Sequence, residues 1–217
     1  MIHLLEADSI QLEFNRRKIL SSVYVKCETG KITGLLGRNG QGKSCLMNII
    51  YGSLKCEKSV RVNGIAYSKL LERPDLLRFQ PQFHFIPGHL SMSRIFNDFQ
   101  LDFAHFSKWF PEYASKYKSA VGELSGGGQK LMELYAIVKA PALFAMLDEP
   151  FTHLSPLHVE KAKDLLLEAK SDKGLLITDH LFRHLTGISD SLYVLANGET
   201  HLTKSLDDIE ELGYAKL

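Results

Sequence analysis

Ile32-Thr33-Gly34-Leu35-Leu36-Gly37-Arg38-Asn39-Gly40-Gln41-Gly42-Lys43-Ser44 joins a short apolar run to a glycine-rich loop. The run at 32–36 has the length and character of a strand buried on both faces. A helical pattern follows from Lys43 to Tyr51, and Gly52 stops it. Strand, glycine loop and helix in that order are what a phosphate-binding loop requires. Glycines let backbone N–H groups curl around phosphate oxygens, and the start of the helix adds partial positive charge. In the pattern G-x-x-x-x-G-K-S, Lys43 is placed to reach the β- and γ-phosphates and the Ser44 hydroxyl to ligate magnesium.

On the N-terminal side, Ile2, Leu4, Ile10, Leu12 and Phe14 alternate with polar residues, as half-buried strands do. Residues 20–25 read as a further strand, with Gly30-Lys31 as its turn. Beyond the first helix, residues 60–67 carry Asn63-Gly64 between alternating segments, a strong hairpin signal. Residues 143–147 read as a second buried strand closed by Asp148-Glu149-Pro150. Residues 158–170 read as a helix, 174–178 as a third buried strand, and 192–195 with Asn197-Gly198 as a final edge hairpin. Strands alternating with helices imply a mostly parallel sheet covered on both faces. Phe96, Phe99, Phe103, Phe106, Phe110, Tyr113 and Tyr117 recur at spacings of 3 and 4, the stripe of a helix written in aromatics. Proline is tolerated in the first turn of a helix but not inside one, so Pro111 divides the stripe into helices at 93–109 and 111–119. A small hydrophobic core explains the stripe better than a docking surface.

Composition narrows the function. A net charge of +1 on 217 residues argues against the basic footprint of a nucleic-acid binder. Three cysteines, Cys27, Cys45 and Cys56, lack paired metal spacing and suit free thiols in a reducing compartment. The first residues have no basic start and reach Glu6 and Asp8 too early for a signal peptide. No apolar run approaches the ~18 residues of a membrane helix, so any membrane role is borrowed from another chain.

Asp148, at the end of an apolar strand, is placed to hold magnesium. That ion keeps several waters and takes only one or two carboxylates. Glu149 beside it would polarise an attacking water. Leu124-Ser125-Gly126-Gly127-Gly128-Gln129 offers a second anion site, a serine hydroxyl and glycine amides at a helix start. Two γ-phosphate sites in one chain, far apart in sequence, make sense if each nucleotide is clasped by two chains.

With these motifs in order, the sequence resembles the nucleotide-binding domain of ABC transporters over nearly its whole length. Gly37 to Ser44 is like Walker A, and Leu-Ser-Gly-Gly at 124–127 is like the family signature. Pro81-Gln82 is like the Q-loop, Asp148-Glu149 like Walker B with its catalytic base, and Thr178-Asp179-His180 like the switch-histidine strand. The wording Asp-Glu-Pro-Phe and Ile-Thr-Asp-His is closest to the lipopolysaccharide-export and branched-chain amino-acid branch. The resemblance implies an α/β P-loop NTPase fold of RecA-like type, a mostly parallel sheet with an antiparallel edge subdomain and a small helical subdomain. The single domain over 1–217 would comprise a core at 1–82 and 132–217 and the helical part at 83–131.

It further implies Mg-ATP as the ligand pair and hydrolysis to ADP and phosphate. Phe14 would stack on adenine, with Tyr24 the next aromatic to test. Gly37, Arg38, Asn39, Gly40, Gln41, Gly42, Lys43, Ser44 and Cys45 would hold the phosphates, and Ser125, Gly126 and Gly127 would cross from a second chain. Glu149, His180, Lys43 and Gln82 would be catalytic, and Ser44, Gln82 and Asp148 would surround magnesium. The implied partners are a transmembrane permease subunit and a second copy or related ATPase subunit, with no nucleic acid, at the cytoplasmic face of the cell membrane. A soluble assembly ATPase and a module of very low turnover are the rival functions. Two departures stand out. Leu154-Ser155-Pro156 occupies the place where the family has Leu-Asp, and the segment between Gln82 and Ser125 is shorter than usual.

Overall fold

The computed structural model describes residues 1–203, 205–212 and 214. The chain opens with β1 (Leu4–Phe14), β2 (Arg17–Leu20) and β3 (Tyr24–Glu28), followed by β4 (Ile32–Leu36) and α1 (Lys43–Tyr51). β1 is one long strand, because a positive φ at Ser9 and a register shift against its neighbour between Asp8 and Gln11 bend it without ending it. The single strand expected at 20–25 is instead the end of β2 and the start of β3. Leu20 closes the pairing of β2 with β1, a bend follows, and Tyr24 starts a fresh pairing with Asp8. β5 (Glu57–Val62) and β6 (Ile65–Ala66) form the expected hairpin, with positive φ at both Asn63 and Gly64. These outer strands make a sheet in the order β2-β1-β5-β6, with β3 also on β1.

The central sheet uses β4, then β7 (Leu77–Gln80), β8 (Phe144–Asp148), β9 (Gly174–Asp179), β10 (Ser191–Ala196) and β11 (Glu199–Thr203). Its order is β11-β10-β4-β9-β8-β7, parallel throughout except where β11 turns back on β10. Successive side chains of a strand face opposite ways, and each face has its own core. Phe144, Met146 and Leu176 pack with α1 and β1, while Ala145, Leu147 and Ile177 pack under α4 (Gly126–Lys139) and α5 (Pro156–Ala169). Among the described residues no helix is long and apolar enough to cross a membrane.

The aromatic segment departs from the expected helix at 93–109. It is two short helices, α2 (Met92–Asp98) and α3 (Phe103–Trp109), and Pro111–Lys116 is a 3-10 turn. Gln100 takes a positive φ between them, and the Asp102 side chain caps α3 by accepting from the Ala104 amide. The stripe survives the break because both helices lean on one core. Phe96, Phe106 and Phe110 are buried, and Tyr135 of α4 lies within 5.8 Å of Phe96 and 5.0 Å of Phe106. Phe99 is half-buried, with the Arg78 guanidinium 5.4 Å from its ring centre, and Tyr117 reaches the surface. Phe106→Ala is therefore expected to cost about 3–5 kcal/mol and to lower the melting midpoint by on the order of 10 °C, with Phe99→Ala milder. Thermal unfolding of both variants checks the ranking; a Phe106→Ala protein that melts like the parent contradicts it.

Candidate functional site

The loop after β4 and the start of α1 are built to receive an anion. Gly42 is the residue before α1 and sits at φ 101°, where any side chain is strained and a Cβ would lie 3.0 Å from Ile19. No side chain caps α1, whereas Ser91, Ser125 and Ser155 cap α2, α4 and α5 by accepting a first-turn amide. The orphan N–H groups of α1 thus point into the space inside the loop. Lys43 is almost wholly buried there, and its Nζ donates to the Gly37 carbonyl at 2.6 Å. Burial pushes its ammonium below the ordinary lysine value, and Glu149, Asp148 and Asp179 act against that shift.

β8 and β9 deliver the acidic side. Asp148 is buried at the end of β8, where Thr178 Oγ1 of β9 donates to its Oδ1 at 2.5 Å. Glu149 leaves the strand at φ 49°, a backbone region that non-glycine residues rarely occupy. Its amide is held by the Thr178 carbonyl at 3.1 Å and hydroxyl at 3.2 Å. That turn places the Glu149 carboxylate among three groups from three other segments. Gln82 Nε2 donates to Oε2 at 3.0 Å, His180 Nδ1 lies 3.7 Å from the same oxygen, and Lys43 Nζ lies 3.9 Å from Oε1.

A cavity of about 410 Å³ spans these groups, lined by Phe14, Ile19, Asn39, Gly40, Gly42, Lys43, Ser44, Cys45, Gln82, Glu149 and His180. Residues far apart in sequence are thereby brought to one place. Phe14, 48% exposed, is part of that lining. Tyr24, the alternative aromatic, is elsewhere: its hydroxyl donates to Glu6 across the outer sheet, and it does not line the cavity. Arg38 and Gln41 line a separate crevice beside Asn197, whose amide donates to Gln41 Oε1 at 3.2 Å. Ser125, Gly126 and Gly127 do not line the cavity either; Ser125 and Gly126 lie exposed at the start of α4.

A second cavity of about 500 Å³ reaches the site only through His180. Its lining, mostly apolar side chains such as Phe151, Leu154 and Leu181 together with Glu160 and Asp179, holds no lysine or arginine to meet a phosphate. Three contributors carried no role in the sequence. Ile19 forms a wall, Thr178 holds the Asp148 carboxylate and the Glu149 amide, and the Tyr214 hydroxyl donates to the His180 carbonyl. A threonine inside the apolar run 174–179 was the visible signal for Thr178. For Ile19 and Tyr214 the sequence offers none.

A parallel sheet with a glycine loop, a buried lysine and an Asp-Glu pair at adjoining strand ends defines a P-loop nucleotide-binding protein. Within that class, the family model described as ABC transporter matches residues 20–152. The chain belongs to the ABC transporter family, as an ATP-binding protein. It is 27% identical over 219 residues to YthP, an uncharacterized ABC transporter ATP-binding protein of Bacillus subtilis, covering 97% of this chain and 91% of that one. To the lipopolysaccharide export ATP-binding protein LptB of Acidithiobacillus ferridurans it is 26% identical, covering 96% and 93%. A solved ATP-binding subunit of an ABC transporter superposes with a TM-score of 0.80 at 21% identity, over 99% of this chain and 95% of that one, which establishes the same fold.

Proposed function

We propose that this protein hydrolyses ATP to ADP and phosphate within a two-chain clasp and drives a transmembrane partner at the cytoplasmic face of a membrane. The observation that carries the reading is the meeting of Lys43, Gln82 and His180 on the Glu149 carboxylate at the mouth of the loop cavity. Uncapped amides and Lys43 receive the phosphates, so charge developing on the γ-phosphoryl meets fixed donors in a partly dry site. Glu149 takes the proton of the attacking water, Gln82 fixes that carboxylate, and His180 stands within reach of the same oxygen. Magnesium fits the donor set. The Ser44 hydroxyl faces the cavity without a hydrogen bond among the described residues, and Asp148 has one oxygen engaged by Thr178 and the other without such a bond. Ser44, Asp148 and Gln82 would hold the ion, which when bound would neutralise phosphate charge.

The exposed Ser125 and Gly126, remote from the chain's own cavity, suit a nucleotide held by a second copy or a related ATPase subunit. Gly127 is part of the same surface, and a Cβ there would approach the His153 carbonyl at 3.3 Å. Ser155 caps α5 through the His158 amide at 3.3 Å, so it keeps the local geometry without the charge. Phe83, 79% exposed beside Gln82, offers an apolar contact for a membrane partner.

Steady-state phosphate release with Mg-ATP tests the hydrolytic part of this reading. Absence of turnover would favour a nucleotide-gated module, the function that Ser155 suggests. Recovery from detergent-solubilised membranes with a co-purifying permease tests the partner, and recovery free of any membrane chain would favour a soluble assembly role. Stacking of a base on an aromatic contributes roughly 1–3 kcal/mol, so Phe14→Ala should weaken ATP binding about tenfold or more while leaving the melting temperature in place. Unchanged affinity would remove Phe14 from the adenine site.

A further inference from the structure

Helix α4 is capped by Ser125 and, just past its first turn, buries two charged side chains, Lys130 and Glu133. Lys130 is 4% exposed and Glu133 is 0% exposed. Neither forms an ion pair with the other. Both turn to the segment that follows Gln80. Lys130 Nζ donates to the carbonyls of Pro81 at 3.3 Å and Gln82 at 3.0 Å. Glu133 Oε1 accepts from the amides of Phe85 at 3.0 Å and Ile86 at 3.2 Å, and its Oε2 meets His84 Nδ1 at 3.0 Å. Gln80 Nε2 completes the set by donating to the Lys130 carbonyl at 3.4 Å.

The segment needs this support. Residues 82–86 have no regular structure and make no backbone–backbone hydrogen bond among the described residues. Where the segment turns inward, at half-buried Phe85 and buried Ile86, its amides must find partners, and Glu133 supplies them while Lys130 holds the carbonyls just before. Burying a charge is costly, and well-packed apolar residues would give a helix face at least as stable. A pair of charges retained there, each satisfied by the same loop, points to placement of that loop rather than to stability.

We infer that Lys130 and Glu133 are positioning residues that bind the loop of Gln82 to the helix that carries Ser125, so that the two move as one body. A displacement of Ser125 on meeting a nucleotide is then carried along α4 to Gln82, and through its 3.0 Å hydrogen bond to Glu149. The inference rests on the hydrolytic reading above for its consequence in turnover, but its structural part stands apart from catalysis.

The test uses the full chain in four variants. Lys130→Met and Glu133→Leu remove the clamp while keeping apolar volume, and Lys130→Arg and Glu133→Gln keep hydrogen-bonding groups in place. The first two should lower kcat at least tenfold with ATP affinity within threefold of the parent, and the second two should recover most of that loss. In the nucleotide-free protein, Glu133→Leu should speed hydrogen exchange at the Phe85 and Ile86 amides at least tenfold while the central strands exchange as before. Unchanged exchange there overturns the clamp, as does a loss of kcat matched by an equal loss of affinity or an unaltered kcat in an active protein. The exchange measurement needs no turnover, so an inactive parent would count against hydrolysis and leave the clamp to be decided by exchange alone. Should Glu133→Leu not fold, His84→Ala at the half-exposed end of the clamp, together with Glu133→Gln, carries the same comparison.

Discussion

Replacing Glu149 with glutamine is expected to reduce phosphate release by about 10²–10⁴-fold, the range associated with loss of general-base assistance, while ATP still binds. Glutamine keeps the length of the side chain and an oxygen to accept from Gln82 Nε2, now 3.0 Å from the carboxylate. It cannot take a proton from water. Asp148 does not substitute for it, being buried one residue back with an oxygen engaged by Thr178. The positive φ at residue 149 is unaffected by the change, because both side chains meet the same backbone restriction. Rates measured on parent and variant under identical Mg-ATP conditions decide the matter. Turnover at the parent rate would show that Glu149 is not the base, and the mechanism would have to be rebuilt around Gln82 or His180.

Lys43→Ala should weaken ATP binding on the order of 100-fold or more, about 2.7 kcal/mol or beyond. Among the described residues Lys43 is the sole lysine or arginine lining the cavity. Hydrogen bonds to charged groups contribute about 1.5–3 kcal/mol each, and Lys43 is placed to make them to phosphate oxygens. Alanine also takes away the cation 3.9 Å from Glu149, leaving phosphate and carboxylate to repel each other across the site. Stability should change little, because the ammonium is held in a buried place that works against its charge. Calorimetric titration with ATP separates these effects: near-native affinity in a folded variant would remove the glycine loop from the account.

Much of the site was legible because its parts are contiguous. The strand, loop and helix at 32–51 are a single uninterrupted statement, and the structure keeps their ends at the expected residues, from Ile32 to Leu36 and from Lys43 to Tyr51. Asp148 and Glu149 were readable for the same reason. What escaped the sequence depends on neighbours that only the fold supplies. Thr178 gains its partners because β8 and β9 pair with Asp148 opposite Thr178. Tyr24, the aromatic held in reserve behind Phe14, is sent across the outer sheet toward Glu6 after the bend that follows Leu20. Over 93–109 the aromatic stripe predicted one helix where there are two, and a helix over 111–119 where there is a 3-10 turn, since spacings of 3 and 4 report a shared core and not an unbroken backbone. Phe96 and Phe103 sit on different helices and still meet edge to face at 5.1 Å. Lys130 and Glu133 drew no expectation from the sequence, because the loop they hold lies about fifty residues earlier in the chain.

The central claim, that two chains clasp each nucleotide between the loop of one and Ser125 of the other, is tested most directly by light scattering of Glu149→Gln with Mg-ATP. A protein that binds ATP and cannot hydrolyse it should accumulate as a dimer, and adding Ser125→Arg should return it to monomers by placing bulk against the γ-phosphate. Dimers that persist with Ser125→Arg, or monomers in Glu149→Gln at saturating Mg-ATP, would contradict the clasp.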